Sequence, residues 1–254
     1  MNFIRKEALN AKLFSGVWCN IGSSLTVEMA ALAKFDWVLI DLEHGSADFE
    51  SLVHQVQVLG NRKTAPIVRI AWNDPPRFKR VLDLGISGVM VPYINTAEEA
   101  RQAAKSMRYP PEGMRGVAYL NRATEFGKSF KEYFTEANDN LITIVQIETQ
   151  EAVKNASEIA AVEGVDVLFV GPLDLSVNLG IPQQFDHPNF REALKNVVSA
   201  ARSNNKIAGI LLSREEQLEA MVADGFSFIA LGSDSGMVAA GMLRNAEAFR
   251  KYIQ

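Results

Sequence analysis

Seven residues have side chains suited to acid–base or metal chemistry and stand where apolar runs end. Asp41, Glu43 and His44 close "WVLIDLEHG", and Arg69 lies in "PIVRIAW". Gln146 and Glu148 close "LITIVQIE", and Asp174 follows "VLFVG" in "GPLDLS". Two carboxylates such as Glu148 and Asp174, on adjacent strand ends, can hold a hard divalent cation through oxygen, with water or substrate completing the octahedron. No Cys or His accompanies them, which argues against structural zinc. The structural alternative is that Glu148 caps a helix starting at Thr149 and Asp174 caps a short turn.

His44 is one of three histidines. It is the candidate general base, because imidazole titrates near neutrality; the alternative is a hydrogen-bonded loop histidine. His54 falls on the polar side of a helical segment, and His187, before Pro188, opens another. An arginine inside an apolar strand is costly unless it is paired or reaches a cavity. At a cavity Arg69 can hold a carboxylate or stabilise an oxyanion; the alternative is an ion pair with Asp41 or Glu148. Lys206 stands at the start of its strand, the wrong end for a Schiff base. A metal is therefore the better electron sink for carbonyl chemistry.

The elements that must position these groups read as an alternation. Eight apolar, β-rich runs occur at 13–19, 37–42, 66–72, 88–94, 141–147, 165–171, 206–212 and 226–232. They are nearly continuous in apolar character, as strands buried on both faces are. Helical patterns lie between them. Phe49, Leu52, Val53, Val56 and Leu59 share a face that Asp48 opens and Gly60 closes. Asp74-Pro75 opens a helix ending near Gly85, with Asp83 on its surface. Thr96 with Glu99, and Ser213 with Glu216, have capping-box spacing. Cys19, His44 and Arg69 recur 25 residues apart, as successive βα units would. The alternation predicts one (β/α)8 barrel over 1–254, with chemistry at the C-terminal strand ends. A doubly wound sheet is the rival, but no G-x-G-x-x-G follows the first strand. The irregular stretch 105–140 is expected to form a long loop over one barrel mouth.

Composition narrows the functional classes. The 254 residues are 48% hydrophobic and carry a formal net charge of -4, which gives no general attraction for nucleic acid or anionic membranes. No run is long enough to span a bilayer, and no signal-peptide pattern opens the chain. The single cysteine, Cys19, cannot form an internal disulfide, which suits a cytoplasmic protein.

"DLEHG", "VRIAWNDPPRFKRVLDLGISGVMVPYINTAEEA", "RYPPEGMRG", "VQIETQEAV" and "VLFVGPLDLSVNLG" together resemble the HpcH/HpaI aldolase family over nearly the whole chain. These are class II pyruvate aldolases of aromatic or sugar-acid catabolism. They include 4-hydroxy-2-oxoheptanedioate, 2-dehydro-3-deoxyglucarate and 2-keto-3-deoxy-rhamnonate aldolases. The resemblance implies a TIM barrel of the phosphoenolpyruvate/pyruvate superfamily with an exchanged C-terminal helix. It implies Glu148 and Asp174 as ligands of Mg, Mn or Co, with no organic cofactor. Pyruvate would be held by Arg69, Gln146 and the 171–174 segment, Gly171, Pro172, Leu173 and Asp174. His44 would be the base, with Asp41 and Glu43 behind it. Asp83 would come from a neighbouring subunit and raise the basicity of the histidine. The segment 117–127, Trp18 and Leu211 or Leu212 would border the aldehyde. The apolar "GMVAAGMLRNAEAF" would be buried by exchange in a homo-hexamer, a trimer of dimers. The alternatives are a citrate-lyase β-like acyl-CoA lyase and a non-catalytic oxo-acid-binding protein.

Overall fold

The computed structural model describes residues 3–250, 252 and 253. Eight parallel strands close into a barrel in chain order. They are β1 (Phe14–Cys19), β2 (Trp37–Asp41), β3 (Ala65–Arg69), β4 (Gly88–Val91), β5 (Ile142–Ile147), β6 (Val167–Val170), β7 (Ile207–Leu212) and β8 (Phe228–Ser233). All eight expected runs are strands. The third and fourth stop earlier than expected, at Arg69 and Val91, because the chain turns out there into mouth loops.

The helices are α1 (Arg5–Asn10), α2 (Ser24–Leu32), α3 (Phe49–Leu59), α4 (Pro75–Leu82), α5 (Ala97–Met107), α6 (Phe130–Asn140), α7 (Gln150–Lys154), α8 (Ala156–Ala160), α9 (Pro172–Asn178), α10 (Pro188–Ser203), α11 (Leu218–Asp224) and α12 (Asp234–Arg250). Their signals hold in most places. Asp48 caps α3, accepting from the Ser51 N–H, and Thr96 with Glu99 forms the expected box at α5. The second expected box does not form. A 3₁₀ turn at Glu215–Gln217 starts one residue later than Ser213 implied, and the Arg214 N–H donates to Gln217 instead.

Burial on both strand faces follows from two cores. Inward residues fill the barrel: Trp37, Leu39, Ile67, Ile144, Phe169 and Phe228. Their outward neighbours Val38, Ile40, Val68, Val145, Leu168 and Ile229 pack under the helices. Trp37 stacks on Phe228 with ring centroids 4.3 Å apart. That packing requires a glycine at position 16, where a Cβ would lie 2.1 Å from the indole.

One expectation changes. The 108–129 loop follows a helix, so it returns to the N-terminal face of the barrel rather than crossing the catalytic mouth. There the Ala123 N–H donates to the Asp83 carbonyl and Tyr109 pairs with Asn138, on the helix entering β5. The last helix is tied to its own barrel at its start, where Asp234 accepts from the Asn20 N–H and the Thr26 hydroxyl, and leaves much of its apolar surface open beyond. Met237, Val238, Met242, Leu243 and Phe249 of α12 are exposed. Leu25, Met29 and Leu32, one face of α2, are exposed too. No helix of the described chain covers that face.

Gly16→Ala should destabilise the barrel by about 3 kcal/mol, because overpacking against a wedged indole cannot relax cheaply. Urea unfolding checks this. An unchanged midpoint would mean that the Trp37 ring moves freely.

Candidate active site

The register of β2 and β3 sets Asp41 opposite Arg69 at the barrel mouth. Arg69 donates through Nε to Asp41 Oδ1 at 2.9 Å and through Nη2 to Oδ2 at 2.6 Å. Its Nη1 lies 2.8 Å from Glu43 Oε2, and its guanidinium sits 5.0 Å over the Trp18 ring. The Trp18 indole N–H also donates to Asp41, at 3.2 Å. Burial alone would push the Asp41 carboxyl up, but the Arg69 hydrogen bonds and charge hold it below its ordinary value. Burial pushes Glu43 up, and Arg69 does not fully offset this. A guanidinium has five N–H donors. Two of them hydrogen-bond Asp41, and Nη1 meets Glu43 as an ion pair without a hydrogen bond, so donors remain for a ligand.

Asp41 also shapes the loop that carries the histidine. Its Oδ1 accepts from the Glu43 N–H at 3.0 Å and the His44 N–H at 3.3 Å. Gly45 lets the loop turn back, since a Cβ there would lie 2.2 Å from the Asp41 carbonyl oxygen. The His44 side chain is 69% exposed, with Nε2 3.9 Å from Glu43 Oε1. It is a solvated imidazole on a loop at the mouth.

Glu148 is buried just past β5. It does not cap the next helix: Thr149 does, accepting from the Ala152 N–H. Glu148 instead accepts from Gln146 Nε2 at 2.7 Å and from the Tyr93 N–H at 3.2 Å. Gly171 leaves room for it, since a Cβ would lie 2.3 Å from Glu148 Oε1. Asp174 sits in the first turn of α9 without a capping hydrogen bond. Burial first, and then the nearby Asp174 charge, push the Glu148 carboxyl up to about 7. Two crowded carboxylates and the buried, unpartnered Gln146 Oε1 make an oxygen-rich cradle. Among the described residues no cluster of three or more His, Cys, Asp or Glu side chains suits a metal. A pair of carboxylates fits magnesium or manganese, which keep several waters and need few protein ligands.

A cavity of about 1040 Å³ joins these groups. Trp18, Asp41, His44, Arg69, Gln146, Glu148, Gly171, Pro172, Leu173, Asp174, Leu211 and Leu212 all line it. Two expected contributors do not reach it within one chain. No residue of 117–127 lines it, because that loop lies at the other face. Asp83 ends α4, near the N-terminal end of β4, where one carboxylate oxygen accepts from the buried Arg115 at 2.9 Å. Tyr93 was not singled out from sequence. Its φ of +53° turns its N–H onto Glu148, and an apolar "VPYI" gives no sign of that.

The HpcH/HpaI aldolase/citrate lyase family model matches residues 15–240. The chain belongs to that family. It is 39% identical over 247 residues to a 5-keto-4-deoxy-D-glucarate aldolase of Shigella dysenteriae serotype 1, covering 97% of this chain and 96% of the relative. It is 40% identical over 236 residues to one from Salmonella arizonae, covering 93% and 92%. A crystal structure of a family member from Burkholderia cenocepacia superposes with a TM-score of 0.92 at 30% identity, covering 98% of this chain and all of that one. The protein is an enzyme, a carbon–carbon lyase of the aldolase kind.

The Glu148 shift carries a stability consequence for this aldolase. Its folded pKa of about 7 lies above the ordinary 4.5, so its contribution is full below 4.5 and is lost as pH rises through 7. In EDTA at pH 8, Glu148→Gln should therefore be more stable than the parent by about 1–3 kcal/mol. The gain should vanish at pH 4. Equal stabilities at pH 8 would contradict the desolvated-carboxylate account.

Proposed function

We propose that the protein is a class II, divalent-metal-dependent aldolase that reversibly cleaves a 4-hydroxy-2-oxo acid to pyruvate and an aldehyde. The substrate class includes the 5-keto-4-deoxy-D-glucarate of its relatives' names. The observation that carries this reading is one cavity lined by a crowded carboxylate pair, an exposed imidazole and an arginine with donors left over from Asp41. Neither an oxo-acid-binding protein nor a structural ion-pair network needs a free base there.

Glu148 and Asp174 hold the cation, magnesium, manganese or cobalt, and no organic cofactor is required. A bound cation would supply the positive charge that stabilises an enolate. Gln146 and the Gly171–Asp174 segment orient the pyruvate half. The remaining Arg69 donors bind the oxyanion side, in an orientation fixed by the Asp41 hydrogen bonds and the Glu43 ion pair. His44 takes the proton from the C4 hydroxyl. The C3–C4 bond then breaks, its electrons remain in the enolate, and the aldehyde leaves. Protonation of C3 completes pyruvate. Trp18, Leu211 and Leu212 border the departing aldehyde.

The assembly belongs to the same proposal. The single barrel, 1–254, forms a homo-hexamer, a trimer of dimers, in the cytoplasm. α12 crosses to cover the α2 face of another copy, and Asp83 approaches His44 of a neighbour and raises its basicity. Supporting this are the exposed apolar side chains of α12, the uncovered Leu25, Met29 and Leu32, and the place of Asp83 away from its own mouth. No helix among the described residues is long and apolar enough to cross a membrane.

Incubation with pyruvate in D2O tests the chemistry. Methyl-proton exchange should require Mn or Mg, stop in EDTA, and fall by about 100-fold in His44→Ala and Glu148→Ala. No exchange with any divalent metal would overturn the reading. Light scattering tests the assembly. The parent should have six times the 28.0 kDa chain mass, and Met242→Asp with Leu243→Asp should give smaller species. An unchanged mass in that double variant would contradict exchange through α12.

A further inference from the structure

We propose, on the aldolase reading above, that Asp234 is a positioning residue for the base. It begins α12, and it acts on His44 through the segment that joins β1 to α2.

The His44 ring is 69% exposed, and Glu43 lies 3.9 Å from its Nε2, too far for a hydrogen bond. Its place is therefore set largely by its backbone. Two sides hold the loop that carries it. On one side Asp41 accepts from the Glu43 and His44 N–H groups. On the other lies the segment after β1. There the Asn20 carbonyl accepts from the Ser46 N–H at 2.9 Å. Gly22, at a φ of +82°, presses on the same stretch: a Cβ there would lie 3.0 Å from the Ala47 nitrogen and 3.3 Å from the Ser46 carbonyl carbon.

Asp234 fixes this second side. It follows directly on β8, so it is tied to the barrel wall. Its Oδ1 accepts from the Asn20 N–H at 2.9 Å, the Ile21 N–H at 3.3 Å and the Ser235 N–H at 2.8 Å. Its Oδ2 accepts from the Thr26 hydroxyl at 2.7 Å. The residue is buried, and a carboxylate makes stronger hydrogen bonds than a neutral acceptor. A role confined to starting α12 would use the Ser235 bond alone; the other three reach across to residues 20–26. The peptide between Asn20 and Ile21 donates to Asp234 at one end and accepts from Ser46 at the other. One short chain of hydrogen bonds thus runs from the root of α12 to the His44 loop.

The test uses the full-length protein with Mn and follows methyl-proton exchange of pyruvate in D2O. Asp234→Ala should lower the exchange kcat roughly tenfold, because a small displacement of the base is costly. The pyruvate KM and the Mn(II) affinity should stay within about twofold of the parent. Asp234→Asn keeps an Oδ1 acceptor and should recover most of the loss. Asp234→Ala added to His44→Ala should cause no further loss, since the two act through one ring. Gly22→Ala disturbs the same contact without touching α12 and should repeat the kcat pattern; it decides the matter if Asp234→Ala does not fold. Asn20 also lines the cavity. A loss carried by KM, or a full additional loss in the double variant, would therefore overturn the proposal, because Asp234 would then act through Asn20 on the substrate or through the fold. Amide hydrogen exchange gives a second readout that needs no turnover. The Ser46 amide should exchange roughly tenfold faster in Asp234→Ala, and unchanged protection would overturn the proposal. Absence of pyruvate exchange in the parent would fault the aldolase reading, and the Ser46 amide would still decide whether Asp234 holds the loop.

Discussion

The mouth of the barrel is organised around the buried pair of Asp41 and Arg69. Strand register places them opposite each other, and each is then used more than once. Asp41 holds Arg69 through two hydrogen bonds, receives the Trp18 indole N–H, and accepts the backbone of the loop that carries His44. Arg69 draws in Glu43. Removing either partner would leave an uncompensated buried charge, at a cost of about 3–5 kcal/mol. The His44 loop, Arg69 and Trp18 therefore share one electrostatic anchor. The rigidity that fixes Arg69 is also what leaves its remaining donors pointing in a defined direction.

The carboxylate pair proposed to hold the metal follows a different logic. Glu148 is held by Gln146 and by a backbone N–H turned out at Tyr93, with Gly171 giving it space. None of these partners neutralises its charge. Burial and Asp174 make the ionised pair unfavourable until a cation arrives. On the proposed reading, such a site would store affinity for a divalent ion as local destabilisation of the free protein, a common trade between stability and function.

Much of this was legible in the sequence. The eight strands were readable because strands buried on both faces leave apolar runs, and the mouth residues because those runs end in polar groups. Asp48, Thr96 and His187 marked helix starts for local hydrogen-bonding reasons. What a chain does beyond its own barrel was less legible. The apolar pattern of α12 required burial but did not say where, and the helix turns out to project. The 117–127 segment was assigned to the aldehyde pocket, although a loop that follows a helix returns to the opposite face. Tyr93 acts through backbone geometry, which composition does not report. Ser213 and Glu216 matched a capping pattern, yet the turn began one residue on.

The most direct measurement is Mn(II) binding to the purified protein, followed by calorimetry or by the loss of the free-ion spin signal. The account predicts one site per chain that Glu148→Gln and Asp174→Asn abolish or weaken by about 100-fold, while His44→Ala leaves it within a fewfold of the parent. Mn(II) bound equally well by the Glu148 and Asp174 variants would contradict it.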